Sequence, residues 1–214
     1  MEFYLFRHGE TVWNVQGIIK GYMEDSEIMF TEAGHAHMKA VADLLSETGI
    51  QAIYASDLHR TSETARYISK RLQLPLFFSP RFRCMNSGIF QGMSIKEFMQ
   101  KEEVQAVLSD HDRAFPGGES INHLVERFCE GLKEIRDTCS YDKVLVISHG
   151  AAISNVFAKI NHSPFKSIDY CLLKTDGDHF SAAGSGEYGR LLNADETENR
   201  PLFLFSNERF FSLS

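Results

Sequence analysis

The stretch Val144-Leu145-Val146-Ile147-Ser148-His149-Gly150 decides the fold class of this chain. An unbroken apolar run rich in β-branched residues is the signature of a strand covered on both faces, the usual state of a strand in a parallel sheet. A helix is expected directly after it, over 151–160. N-terminal to it, Ser120 is placed to cap a long helix whose Ile121, Leu124, Val125, Phe128, Leu132 and Ile135 form one continuous stripe, read as core packing.

The same alternation runs through the rest of the chain. Met38, Val41, Ala42 and Leu45 follow the i, i+3, i+4, i+7 pattern, so a helix is expected over 31–48, stopped by Gly49. Ala52-Ile53-Tyr54-Ala55 reads as a buried strand, Ser56-Asp57 as a cap, and 58–72 as a helix with Ala65, Ile68 and Leu72 inward. Leu76-Phe77-Phe78 is a further short strand. From 81 to 118 regularity is poor apart from a helix near 94–108, ending in Phe115-Pro116-Gly117-Gly118. Ile168–Leu173 and Pro201–Phe205 are expected strands, separated by a Gly/Ser/acidic stretch at 183–200 expected to be a mobile loop. Strands alternating with helices indicate an α/β fold, three layers α/β/α with a mainly parallel central sheet. No internal repeat or dividing linker is visible, so residues 1–214 are expected to form one domain.

Composition narrows the class. With 214 residues, 43% hydrophobic and 24% charged, the chain can bury a sizeable core. A formal net charge of −7 argues against general affinity for nucleic acid or anionic membrane, yet a few convergent basic groups still suffice for a small anion. No apolar run approaches the roughly 20 residues of a membrane span. The N-terminus opens into a strand-like segment without a basic region and apolar signal core. The four cysteines, 84, 129, 139 and 171, form no C-x-x-C pair. Cys129 and Cys139 lie on one expected helix about 15 Å apart, too far for a disulfide. Reduced cysteines and a cytoplasmic setting are expected. Among nine histidines, His35 and His37 alternate near a helix start, but no metal site and no cofactor are expected.

Chemistry concentrates at strand ends. Phe3-Tyr4-Leu5-Phe6 is a first strand, and Arg7-His8-Gly9-Glu10-Thr11 follows it as a loop. In open parallel sheets the loops at the carboxyl ends of strands converge on one crevice. Arg7, His8, Arg60 and His149, far apart in sequence, all fall at that edge. The helix starting at Gly150 aims its unpaired N–H groups there as well, a ready anion site. An imidazole can act as nucleophile while guanidinium groups neutralise the oxygens it approaches. Two arginines, two histidines and a helix terminus suit a phosphoryl group.

Four segments carry a resemblance: Arg7-His8-Gly9-Glu10-Thr11 with Trp13-Asn14; Ser56-Asp57-Leu58-x-Arg60-Thr61-x-x-Thr64-Ala65; Pro116-Gly117-Gly118-Glu119-Ser120; and Ser148-His149-Gly150. In order and spacing, across about residues 3–160, they resemble the histidine phosphatase superfamily, in its branch of cofactor-dependent phosphoglycerate mutases and related phosphatases. Lys20-Gly21, Asp25-Ser26 and Thr31-Glu32-x-Gly34 resemble the segment after the first motif. The resemblance implies a phosphoglycerate mutase-like fold, with His8 as the nucleophile that becomes phosphorylated and Arg7, Arg60 and His149 on the phosphoryl oxygens. Asn14 and the Gly150 amide would add hydrogen bonds, and Thr11, Lys20 and Gly21 would belong to the substrate site.

One position departs from that pattern. The family's general acid is usually a glutamate in L-x-E-x-x-x-G-x-x-E-G, and the corresponding run here is Phe82-Arg83-Cys84-Met85-Asn86-Ser87-Gly88-Ile89-Phe90-Gln91-Gly92. Cys84 stands in the acid's place and Gln91 replaces a second glutamate. A thiol in a pocket of positive charge tends toward thiolate, which has no proton to give. General acid catalysis is worth roughly 10²–10⁴-fold. The chain is therefore expected to hydrolyse esters with good leaving groups, to draw the proton from Glu10, Asp25, Glu27 or Glu119, or to bind phosphorylated ligands and turn over slowly. Weak phosphomonoesterase activity through phosphohistidine ranks first, on a small phosphorylated substrate or a phosphorylated protein. Mutase-type transfer ranks below it because 93–118 is short and carries few basic residues, and a phospholigand-binding protein is the non-enzymatic alternative. The apolar tail Leu202–Phe205 with Phe210-Phe211 would complete the sheet edge or form a homodimer contact.

Overall fold

In the computed structural model, which describes residues 1–24, 29–176 and 179–186, the chain opens with strand β1 (Glu2–Arg7) and a single helical turn, α1 (Val12–Val15). Next come α2 (Glu32–Leu45), β2 (Ala52–Ala55), α3 (His59–Leu72) and β3 (Leu76–Phe78). The middle of the chain holds α4 (Ile95–Phe98), α5 (Glu102–Ser109) and the long α6 (Ile121–Thr138). Strand β4 (Lys143–Ser148), α7 (Gly150–Ile160), β5 (Tyr170–Asp176) and β6 (His179–Gly186) complete the described part.

The sheet has the order β3-β2-β4-β1-β5-β6. Its four members β3, β2, β4 and β1 are parallel, and β5 and β6 add antiparallel. Side chains of a strand alternate between faces, and this alternation builds the three layers. Phe3, Leu5, Val144 and Val146 point into one core with Leu124, Phe128, Leu132 and Ile135 of α6 and Ile153 and Val156 of α7. Tyr4, Phe6, Leu145 and Ile147 point into the other with Val41, Ala42 and Leu45 of α2 and Ala65 and Ile68 of α3. The fold is α/β, three-layered and mainly parallel around its centre.

Register sets the level of the loops. Arg7 pairs with Ser148 and Ala55 with Ile147, so β1, β4 and β2 finish side by side. The order places β4 between β1 and β2, so loops from three remote parts of the sequence meet above adjacent strands. Gly34, in the first turn of α2, permits the close approach of the first of these loops. A Cβ at residue 34 would lie 2.1 Å from the Glu10 carbonyl oxygen.

Several expectations need correction. Ser56-Asp57 does not cap α3: Leu58 occupies the N-cap, Ser56 turns to His149, and Asp57 pairs with Arg83. The helix expected near 94–108 is two helices, because Ser94 and Glu97 close a capping box around a single turn that ends at Met99 before α5 starts afresh. The loop expected at 183–200 starts later. Residues 183–186 belong to β6, which pairs with β5 although Ser181, Ala182 and Gly184 are too small to advertise a strand by hydrophobic alternation. The rest of that stretch, the strand expected at Pro201–Phe205 and the tail contact of Phe210-Phe211 lie outside the described residues. Among the described residues no helix is long and apolar enough to cross a membrane.

Candidate active site

Strand β1 delivers His8 onto the sheet edge, where its backbone N–H bonds the Ser148 carbonyl at 3.0 Å. The loop is fixed from the other side by Thr64 of α3, whose Oγ1 accepts the Gly9 N–H at 3.1 Å. His8 is buried, with Nδ1 2.7 Å from the Gly9 carbonyl oxygen. A carbonyl only accepts, so Nδ1 carries the proton and Nε2 the lone pair. Burial, then the charges of Arg60 and Arg7, hold the imidazole well below its usual range of titration. It is therefore neutral at physiological pH, the state a nitrogen nucleophile needs.

His149 sits at the end of β4 as the N-cap of α7, its ring centroid 5.2 Å from that of His8. Its Nε2 lies 3.0 Å from Ser56 Oγ and 3.1 Å from Thr61 Oγ1. Its Nδ1 is buried and has no hydrogen-bond partner. Burial, then Arg60 and His8, push its titration well down too. If one of these hydroxyls donates to Nε2, the ring keeps its proton on Nδ1, where a bound anion could accept it.

The guanidinium groups arrive from two elements. Arg60, in the first turn of α3, is buried and donates from Nη2 to the Gly21 carbonyl at 2.7 Å. Arg7 donates from Nη1 to Asp169 Oδ1 at 2.9 Å, and its Cδ would lie 3.4 Å from a Cβ at Gly150, so it lies across the start of α7. Lys20 is buried with Nζ 4.6 Å from the Trp13 ring centroid. The Asn14 amide is oriented by Thr11, whose N–H and Oγ1 both lie 2.9 Å from Asn14 Oδ1.

Arg7, His8, Asn14, Lys20, Gly21, Arg60, Cys84, His149 and Gly150 all line one cavity of about 730 Å³. Of the sequence-derived set, only Thr11 stands off the wall. It is buried at the N-cap of α1 and acts on the site through Asn14. The proposed substitutes for the acid also fall away where they are described. Glu10 accepts the Thr31 hydroxyl at 2.7 Å, and Glu119 is locked in a bidentate pair with Arg127. Neither lines the cavity, and among the described residues no carboxylate does. Asp25 and Glu27 lie outside the described residues. The Glu119–Arg127 pair instead braces the segment that carries Cys84. Arg127 donates to the carbonyls of Arg81 and Cys84, each at 2.7 Å, and Glu119 accepts the Asn86 N–H at 2.8 Å. Gln91 accepts the Tyr22 N–H with its amide oxygen and so holds the turn at Gly21, whose carbonyl receives Arg60.

Sequence reasoning missed Ser56 as a partner of His149 and Asp169 as a partner of Arg7. A lone serine or aspartate beside a strand carries no local signal of a contact 93 or 162 residues away.

The model of the histidine phosphatase superfamily (branch 1) matches residues 3–177. The chain is 33% identical over 163 residues to a protein of Escherichia coli O1:K1 named as probable phosphoglycerate mutase GpmB, covering 75% of this chain and 74% of that protein. Among solved structures, YhfR of Bacillus stearothermophilus superposes with a TM-score of 0.73 at 25% identity, covering 87% of this chain and 96% of the other. A mycobacterial glucosyl-3-phosphoglycerate phosphatase in complex with VO3 superposes at 0.75 with 21% identity, covering 87% and 98%, and shares the fold. With strand-end histidines and arginines gathered on one cavity and this match along most of its length, the chain belongs to the histidine phosphatase superfamily, branch 1.

Proposed function

We propose that the protein hydrolyses phosphomonoesters through a phosphohistidine on His8. The observation that carries this reading is the neutral imidazole of His8, its Nδ1 proton committed to the Gly9 carbonyl, in a cavity shared with Arg7, Arg60, His149 and the start of α7. The ester's phosphoryl oxygens take up the guanidinium groups, the His149 Nδ1–H and the Gly150 amide. His8 Nε2 then attacks phosphorus in line with the P–O bond, which breaks toward the alcohol. Water next attacks phosphorus of the phosphohistidine, returning the electron pair to Nε2 and releasing inorganic phosphate. Fixed donors around the equatorial oxygens supply most of the catalysis in phosphoryl transfer.

By the resemblance Cys84 takes the place of the acid that would protonate the leaving oxygen, and the described wall offers no carboxylate instead. Esters whose alcohol leaves readily as an anion are therefore the better substrates, aryl above alkyl. A mutase reading draws on the named relative of Escherichia coli. It requires two anionic ends on one substrate, and the lysine and arginine side chains that line the described cavity are only Arg7, Lys20 and Arg60. Hydrolysis is therefore preferred. Rapid mixing with a labelled aryl phosphate tests the proposal: an acid-labile phosphoryl group should appear on His8 in a burst and be absent from His8→Ala. A stoichiometric transfer between phosphoglycerate positions without release of phosphate would favour the mutase.

A further inference from the structure

Beyond the phosphate cradle, the cavity changes character. Phe98 and Phe115 form a buried section of its wall with ring centroids 5.7 Å apart. Its margin carries Ile95, Met99, Leu108 and Phe165, which are 50%, 47%, 40% and 60% exposed. Large apolar side chains scattered singly over a surface mean little, but four around one opening mark a place that binds. The charged and titratable groups on the described wall are Arg7, His8, Lys20, Arg60, Cys84, His111 and His149, and none is an acid that would attract a cationic substrate. Ligand sites of this kind hold the polar end of a molecule with a few placed groups and its body by apolar contact.

We infer that this cavity selects phosphomonoesters whose organic part is a medium-length apolar alcohol or a phenol with no second anionic group. The inference rests on the proposed cradle for the phosphoryl group, and it does not require that His8 complete a turnover. A second anionic group carried against Phe98, Phe115 and Leu108 would be desolvated among apolar side chains, which is costly.

The test uses n-alkylphosphonates from methyl to octyl, which keep the anionic end and cannot be hydrolysed, with binding to the full chain measured by calorimetry in competition with inorganic phosphate. Affinity should rise roughly two- to fourfold per methylene up to about hexyl, the upper figure matching the ~0.8 kcal/mol of a fully buried methylene. Met99→Asp and Leu108→Asp, both at exposed positions, should flatten that slope. In parallel, kcat/KM for n-alkyl phosphates should rise with length, because their alcohols differ little in acidity. Affinity independent of chain length, or tighter binding of 3-phosphoglycerate than of hexylphosphonate, overturns the inference. A clear length dependence with no phosphohistidine formed would sustain it and defeat the hydrolase reading. Phosphonates that neither bind nor displace phosphate would remove both.

Discussion

Replacing Glu119 with glutamine separates a strut from a proton donor. Glu119 and Arg127 are 7% and 11% exposed at their side chains. The pair is bidentate, with Nε–Oε2 and Nη2–Oε1 both at 2.8 Å. Breaking a buried pair costs about 3–5 kcal/mol, because the surviving charge stays buried without its partner. Here Arg127 keeps two backbone acceptors, the carbonyls of Arg81 and Cys84, and glutamine retains one oxygen for it or for the Asn86 N–H. The expected loss therefore lies at the low end, about 3 kcal/mol. For a chain of this length each kcal/mol moves Tm by about 2–4 °C, so Glu119→Gln should melt roughly 6–12 °C lower. Calorimetry or circular dichroism reads this directly. Because the pair braces the segment bearing Cys84, turnover of alkyl and aryl phosphates should fall together and by similar factors. A Tm within about 2 °C of the parent, joined to a loss confined to alkyl phosphates, would refute the reasoning and make Glu119 the proton source.

Cys84→Glu places a carboxyl at the cavity wall, and kcat for alkyl phosphates should rise by up to roughly 10²-fold while aryl phosphates change only a few-fold; equal gains on both would count against a missing proton. His8 and His149 both titrate well below the usual 6.5 of imidazole when folded. The unfolded chain therefore binds more protons below about pH 6.5, so their contribution to stability is complete above that pH and is lost as the pH falls through the folded values. Urea denaturation across pH 4–8 should show this decline, weakened in His149→Asn, and an unchanged pH profile in that variant would speak against it. The same depression predicts that kcat/KM for an aryl phosphate holds its value as pH drops below 6.5, where an unperturbed histidine nucleophile would already be protonated. Gly34→Ala would push a Cβ against the Glu10 carbonyl, so it should cost about 1–3 kcal/mol and lower kcat by displacing the His8 loop; a variant that melts and turns over as the parent would show that the loop gives way freely.

Much of this molecule was legible along the chain because the relevant physics is local. The burial of Val144–Ile147 on both faces, the stripe of α6 and the placement of Arg7-His8 and His149 at strand ends all follow from periodicity and from where a strand must stop. Where small side chains erase that periodicity, as along β6, the strand was invisible because its pairing is supplied by β5. The cap at Ser56 was misassigned for a related reason. A serine hydroxyl takes the partners that folding brings, here the imidazole at the N-cap of α7 and the Leu58 N–H rather than the first turn of α3.

By itself the sequence determined the alternating strands and helices, the parallel centre and the loops that bear the histidines and arginines, since each depends on residues within a few positions of one another. Only the tertiary structure decided that Glu119 is bound to Arg127 and withdrawn from the cavity, that Thr61 and Ser56 orient His149, and that apolar side chains from α4, α5 and the segment after α7 line the same cavity as the histidines and arginines. Those outcomes depend on distances between segments remote in the chain, which packing of the two cores against the sheet sets and no local pattern encodes.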